Sequence, residues 1–415
     1  MTTAVWTDRF SFKATSFADT ALEAAARLWY LTAVIGQLLF VFTVAAFYAS
    51  AAVRGNFQAW NRSMTRGYVA GETIGNVTVA VHLLAAVFIV LSGAIQLLPQ
   101  IRYRAPSLHR WNGRLYILSA FAVSGAGLYM LWTRHSFGDI PQKLGNSLNA
   151  VLVMLCAAMA LRTAMARDFK THRRWALRLF LVVSGVWFFR IGFALSLLLN
   201  KGPFGFDPTT FAGPFLTFMS FATYLLPLAV LELYLRAQDR SGAPGRIAMA
   251  AGLLALTAAT GVGIFAATMV FWLPKIAAAF DSRKSIDEAL SATLASEGID
   301  AGVRQYHALK AAQPAAYNFD ERELNTLGYS LLRAHRIKDA IRIFQVNVEA
   351  YPQSSNTYDS LAEAYVADGD ALQGMANYQK ALQINPNNRD SAQALQKLTA
   401  PLIRPPADRP RAQAQ

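Results

Sequence analysis

Cysteine is almost missing from this chain. Cys156 is the single one in 415 residues, which excludes a disulfide framework and any metal site built on thiolates. Charge is scarce too: 15% of residues are Asp, Glu, Lys or Arg, where a soluble protein carries about 25%. The motifs that announce catalysis are also lacking. There is no Gly-rich phosphate loop, no His-Glu-x-x-His pair, no nucleophile elbow and no paired carboxylates in the apolar stretches. The chain is therefore not expected to be an enzyme by itself. Residues 1–27 hold Asp8, Asp19 and Glu23 without an apolar centre, so no cleavable signal peptide is expected.

What the chain has instead is apolar length. Its apolar fraction is 54%, concentrated before residue 275, whereas most acidic residues come later. Seven stretches reach or approach the roughly 20 residues needed to cross a bilayer. They are 28–48, 77–98, 115–132, 148–165, 177–199, 211–235 and 247–273. The expected fold is all-α, a polytopic helical membrane bundle followed by a soluble helical solenoid. The expected divisions are an arm at 1–27, a membrane domain at 28–273 with its core at 75–200, a tail domain at 280–398 and a disordered end at 399–415. That end reads "APLIRPPADRPRAQAQ" from residue 400.

Orientation follows from Lys and Arg near the spans. Sixteen gather on the side of the amino terminus and six on the other, so the amino terminus is expected in the cytoplasm and the tail outside the inner membrane. The net charge of +14 then reflects loops beside anionic lipid. The bilayer is the expected partner, and nucleic acid is not.

One junction is written twice. "LHRWNGRLYI" runs over 108–117 and "HRRWALRLFL" over 172–181, each opening an outward span. Spans two and three, and four and five, are expected to form duplicated hairpins. Trp111 and Trp175 anchor at the interface. Arg110, Arg114, Arg173 and Arg178 reach head groups from the first turns. Two further polar residues lie inside spans: His82 in the second and Arg190 in the fifth. By rise per residue both sit in the outer half of the bundle. A shared buried site for an acidic ligand or quinone head group is the expectation.

Residues 75–200 resemble the bacterial membrane proteins grouped as domain of unknown function 2306. The matching positions are His82, Gln96, Pro99, His109, Arg110, Gly113, Arg114, Tyr116, His172, Arg173, Trp175 and Arg178. The resemblance implies a membrane fold and carries no activity. His109 and His172 fall at the inner edge, and His82 and His135 nearer the outer. That layout is similar in outline to diheme b-type transmembrane cytochromes. It implies haem b as a cofactor, with imidazoles as axial ligands and an electron-carrying or quinone-linked role. The layout departs in placing three histidines at span ends and none in the fourth span. A small-molecule transporter is a third reading, because repeated hairpins are common there, although no broken helix around a polar midplane site is expected.

The tail repeats every 34 residues, pairing Pro352 with Pro386, Phe344 with Tyr378 and Leu327 with Leu361. With Tyr358 and Tyr365 these positions resemble the tetratricopeptide pattern of paired helices. The second copy departs by carrying Ala362 and Gly374 where the pattern favours Gly and Ala. Residues 286–314 resemble a degraded copy. Leu327, Phe344, Pro352, Tyr358, Tyr365, Tyr378 and Pro386 are the expected core. The resemblance implies a concave surface for a protein partner outside the cytoplasm.

Overall fold

The computed structural model describes residues 16–64, 66–134, 138–207 and 210–403. The first half of the expected arm, His135 and most of the expected disordered end lie outside the described residues. The chain divides after Phe280 into two compact units, both built almost wholly of helix.

The first unit begins earlier than its hydropathy suggests. Helix α1 (Phe17–Val53) starts at a capping box: Asp19 N–H donates to Ser16 Oγ and Ser16 N–H donates to the Asp19 carboxylate, each at 3.3 Å. "FADTALEAAAR" is rich in helix formers, so the cap extends helix through much of the expected arm. There follow α2 (Thr73–Gln96), the short α3 (Pro99–Arg104), α4 (Pro106–Thr133), α5 (Ile140–Met165), α6 (Phe169–Val183) and α7 (Gly185–Asn200). The unit closes with α8 (Pro214–Arg240), α9 (Ala243–Ala267), a π turn at Thr268–Trp272 and α10 (Leu273–Phe280). Many large apolar side chains on these helices point outward. Leu84 is 72% exposed and Leu118 66%, a surface that only lipid covers cheaply. Six helices are long and apolar enough to cross a membrane, and α6 with α7 makes a seventh if the bent pair is one span. This is a multi-pass membrane unit.

The expected fifth span is not straight. It bends by 48° between α6 and α7. Ser184 Oγ donates back to the Phe180 carbonyl (2.7 Å), Gln37 Nε2 donates to Ser184 Oγ (2.9 Å), and Gly185 leaves room for Asn149 of α5. A Ser-Gly pair with an inserted side chain is a recognised cause of a kink. The expectation of no broken helix is thereby corrected, and buried Gln37 and Ser184 make the break polar.

Helices α2 and α4 pack together, as do α5 and α6, giving two neighbouring hairpins. The first and last long helices, α1 and α9, also pack against each other. Gly36 permits this approach, since a Cβ there would meet the Ile264 side chain at 2.5 Å.

The second unit holds α11 (Ile286–Ser296), α12 (Ile299–Ala312), α13 (Glu321–Arg333), α14 (Ile337–Ala350), α15 (Ser355–Ala367), α16 (Ala371–Ile384) and α17 (Arg389–Ile403). Helix α17 carries regular structure past residue 399, where disorder was expected to begin. Two short strands, β1 (Lys284–Ser285) and β2 (Tyr317–Asn318), pair in parallel, so the unit is nearly rather than wholly α. Consecutive helices pack as pairs around a core of Leu290, Leu324, Leu327, Phe344 and Leu361. Tyr378 is buried and Tyr365 packs at the core's edge. Tyr358 is half-buried. Pro352 and Pro386 are exposed and follow the ends of α14 and α16. They are helix stops rather than core residues, because proline cannot continue a helix.

Candidate functional site

The two junctions fold alike. His109 is the fourth residue of α4 and His172 the fourth of α6. Proline opens α4, and Asp168 caps α6 by accepting from Thr171 N–H (3.1 Å). Beyond each His the Trp-x-x-Arg spacing brings a guanidinium over an indole. Arg114 lies 4.8 Å from the Trp111 ring centre, and Arg178 lies 4.8 Å from that of Trp175. The second copy has one more residue between His and Trp, so the helical pairing is retained even though the register from His is not.

Charge pairing separates the copies. Arg178 bonds Glu232 of α8 (2.6 Å), and Arg174 bonds Asp239 of the same helix. In the first copy Arg110 donates to Ser107 Oγ (3.3 Å), and among the described residues neither Arg110 nor Arg114 forms an ion pair. Arg102 of α3, stacked on Tyr103 at 4.7 Å, has no carboxylate partner there either.

Arg102, Tyr103, Arg110 and Arg114 line a cavity of about 2120 Å³ in the membrane unit. His109 and His172 both line it, close enough for their charges to interact. His172 Nδ1 donates to the Ala160 carbonyl (2.8 Å). Gln96 Nε2, a donor only, meets His109 Nε2 at 3.4 Å, which puts the His109 proton on Nδ1. That Nδ1 is buried without a partner, as is the Tyr116 hydroxyl below it. Asn112 holds Gln96 in place by donating to its Oε1 (2.9 Å) and to the Ser92 carbonyl (3.0 Å). Farther in, the wall is apolar, with Ile117, Leu179, Phe180 and Leu253. The lining carboxylates are already matched, Asp19 to Arg246 and Glu23 to Arg27 (2.5 Å).

His82 and Arg190 have separate surroundings. His82 Nδ1 donates to the Val123 carbonyl of α4 (3.1 Å) and its ring lies by Gly127. Arg190 stands over the Phe40 ring of α1 (5.2 Å). The expectation of one site common to both finds no support in these contacts. Of the four membrane histidines, only His109 and His172 come together among the described residues. Several polar groups escaped the sequence reading: Gln37, Asn112, Ser184, Glu232 and Lys275. Asn112 sits inside the quoted junction and could have been found there; Lys275 lies just past the seventh expected span.

Residues 79–226 match a family described as predicted membrane protein (DUF2306). The match runs from α2 into α8, over 148 of 415 residues, and contains both junctions. No curated protein matches the chain.

Proposed function

We propose that the membrane unit holds an anionic amphiphile, a lipid-type molecule with an acidic head group, and that the tail docks a protein partner. One observation carries the first half. The cavity joins three arginines without carboxylate partners (Arg102, Arg110 and Arg114) to two unpartnered buried donors and an apolar shaft. An acidic head would satisfy the rim and the donors, and a hydrocarbon tail would fill the shaft. Detergent-purified full chain should retain such a molecule in stoichiometric amount by native mass spectrometry. Changing Arg110 and Arg114 together to Gln should empty it, while unaltered retention, or none in the wild type, overturns the reading.

The second half rests on the 34-residue period and on the paired helices of the tail, as in tetratricopeptide arrays. Reporter fusions test its placement. Those after Arg167 or Arg240 should be active in the cytoplasm, and those after Asp207 or in the tail outside it. Transport of the amphiphile is a second reading, favoured by the polar break between α6 and α7. Among the described residues a haem reading rests on His109 and His172, and a purified protein without a Soret band removes it.

A further inference from the structure

A second polar cluster lies at the other end of the membrane unit, away from the junctions. Arg190 is ten residues, about 15 Å by helical rise, short of the end of α7, too far for its side chain to reach that end. Its Nε is buried without an acceptor. Lys275 of α10 donates to Ser63 Oγ (2.6 Å) and stands over Phe47 (5.9 Å). Tyr48 lies within electrostatic reach of Arg190, and Ser63 is its neighbour. Trp272, whose ring is 5.9 Å from that of Phe40, has a buried indole N–H with no acceptor. Trp272 ends a π turn and Lys275 follows it in α10, and such turns concentrate at functional sites.

The charges do not balance. Arg190 and Lys275 are near enough to repel each other. Among the described residues no carboxylate forms an ion pair with either. A charged group in a membrane span marks a partner by default. Here the neighbour is a second cation, so each raises the cost of the other. Arg190, Lys275, Tyr48 and Trp272 can all donate, and among the described residues no negatively charged acceptor pairs with the two cations. The guanidinium fork suits an oxyanion's geometry. Two positive charges match a phosphomonoester, which carries roughly −1.5 to −2 near neutrality, better than a carboxylate.

We propose that Arg190, Lys275, Tyr48 and Trp272 hold a phosphate group inside the membrane unit, at the end opposite the junctions. The site is independent of the amphiphile cavity: neither Arg190 nor Lys275 lines that cavity. The phosphate can come from solution or from the head of a phosphomonoester lipid, and the chemistry is shared.

The test uses full-length protein with two probes. Inorganic phosphate is titrated calorimetrically into detergent-purified protein, and melting is followed in phosphatidylcholine nanodiscs with and without phosphatidic acid. Binding of phosphate marks the soluble source, and stabilisation by phosphatidic acid alone marks the lipid source. Arg190→Gln and Lys275→Gln should each weaken the effective probe by at least about 30-fold, as truncating one member of a buried charge pair does. Lys275→Arg should retain most of it. If Arg190→Gln does not fold, Lys275→Gln decides. Failure of both probes to bind or stabilise the wild type, or full binding by Lys275→Gln, overturns the proposal.

Discussion

In the tail most large apolar side chains turn inward, whereas in the membrane unit many of them turn outward. Leu290, Leu324 and Phe344 are fully buried, while Leu84 and Leu118 stand clear of their bundle. The membrane unit seals small and polar residues inside as well, Ala33, Ala157, Gln37 and Ser184 among them, beside a few large ones such as Trp187 and Tyr224. Water expels the atoms that lipid accepts. The tail is therefore held by buried apolar area, and the membrane unit by close backbone approach and hydrogen bonds.

The sharpest way to break this contrast is Phe344→Ala. It should loosen the tail by about 3–5 kcal/mol and leave the membrane unit folded. All eight Trp lie before residue 281, so their fluorescence reports the membrane unit while proteolysis of the tail reports the other. Simultaneous loss of both signals would mean that the two fold as one. Gly328→Ala tests the same core from the opposite side. A Cβ there would come within 2.5 Å of the Phe344 ring, and overpacking of this kind costs about 1–3 kcal/mol. Adding Phe344→Leu should recover part of the loss, and a double variant no better than Gly328→Ala would argue against the clash.

In the membrane unit the corresponding loss should be smaller and polar in origin. Asn112→Leu removes the bonds to Gln96 and Ser92 and should cost about 0.6–2 kcal/mol, read by Trp fluorescence during unfolding in mixed micelles. A loss as large as that of Phe344→Ala would erase the distinction. The smallest effect expected is one of pH on the tail. Burial, with help from the neighbouring Asp390 charge, lifts the Asp359 carboxyl above its ordinary range against the opposing Ser391 hydrogen bond. The folded tail thus binds a proton that the unfolded chain releases. That stabilisation is complete below the ordinary carboxylate range and disappears as pH rises through the lifted value. Tail melting of the wild type relative to Asp359→Asn should therefore increase on acidification from neutral, and parallel melting curves would show that Asp359 does not titrate in this way.

The number and order of the membrane helices could be read from hydropathy, because length and apolarity are local. Their starts could not, since α4 and α6 open with polar turns that hydropathy discards. Depth misled for His82 and Arg190. Rise along a helix gives one coordinate, and the direction around its axis decides that His82 meets α4 while Arg190 meets α1. The bend at Ser184 was hidden because its partner Gln37 lies 147 positions away. In the tail, Ala362 and Gly374 looked like departures from the repeat. In space they are an exchange: Gly328 faces Phe344 in one helix pair, and Gly374 approaches Val366 and the Ala362 carbonyl in the next. Each pair keeps one glycine where its two helices touch, and only the helix that supplies it changes.

The packing of α1 against α9 has a consequence during synthesis. Helix α1 leaves the ribosome first, yet the surface around Gly36 must wait for Trp187 of α7 and then for Ile264, made near the end of the membrane unit. The α2–α4 and α5–α6 pairs meet their mates almost as soon as they are translated. A chain stalled before α9 would leave its oldest helix unmatched in the bilayer, with the face around Gly36 uncovered. Completion of the last long helix is thus the step that closes the membrane unit over α1.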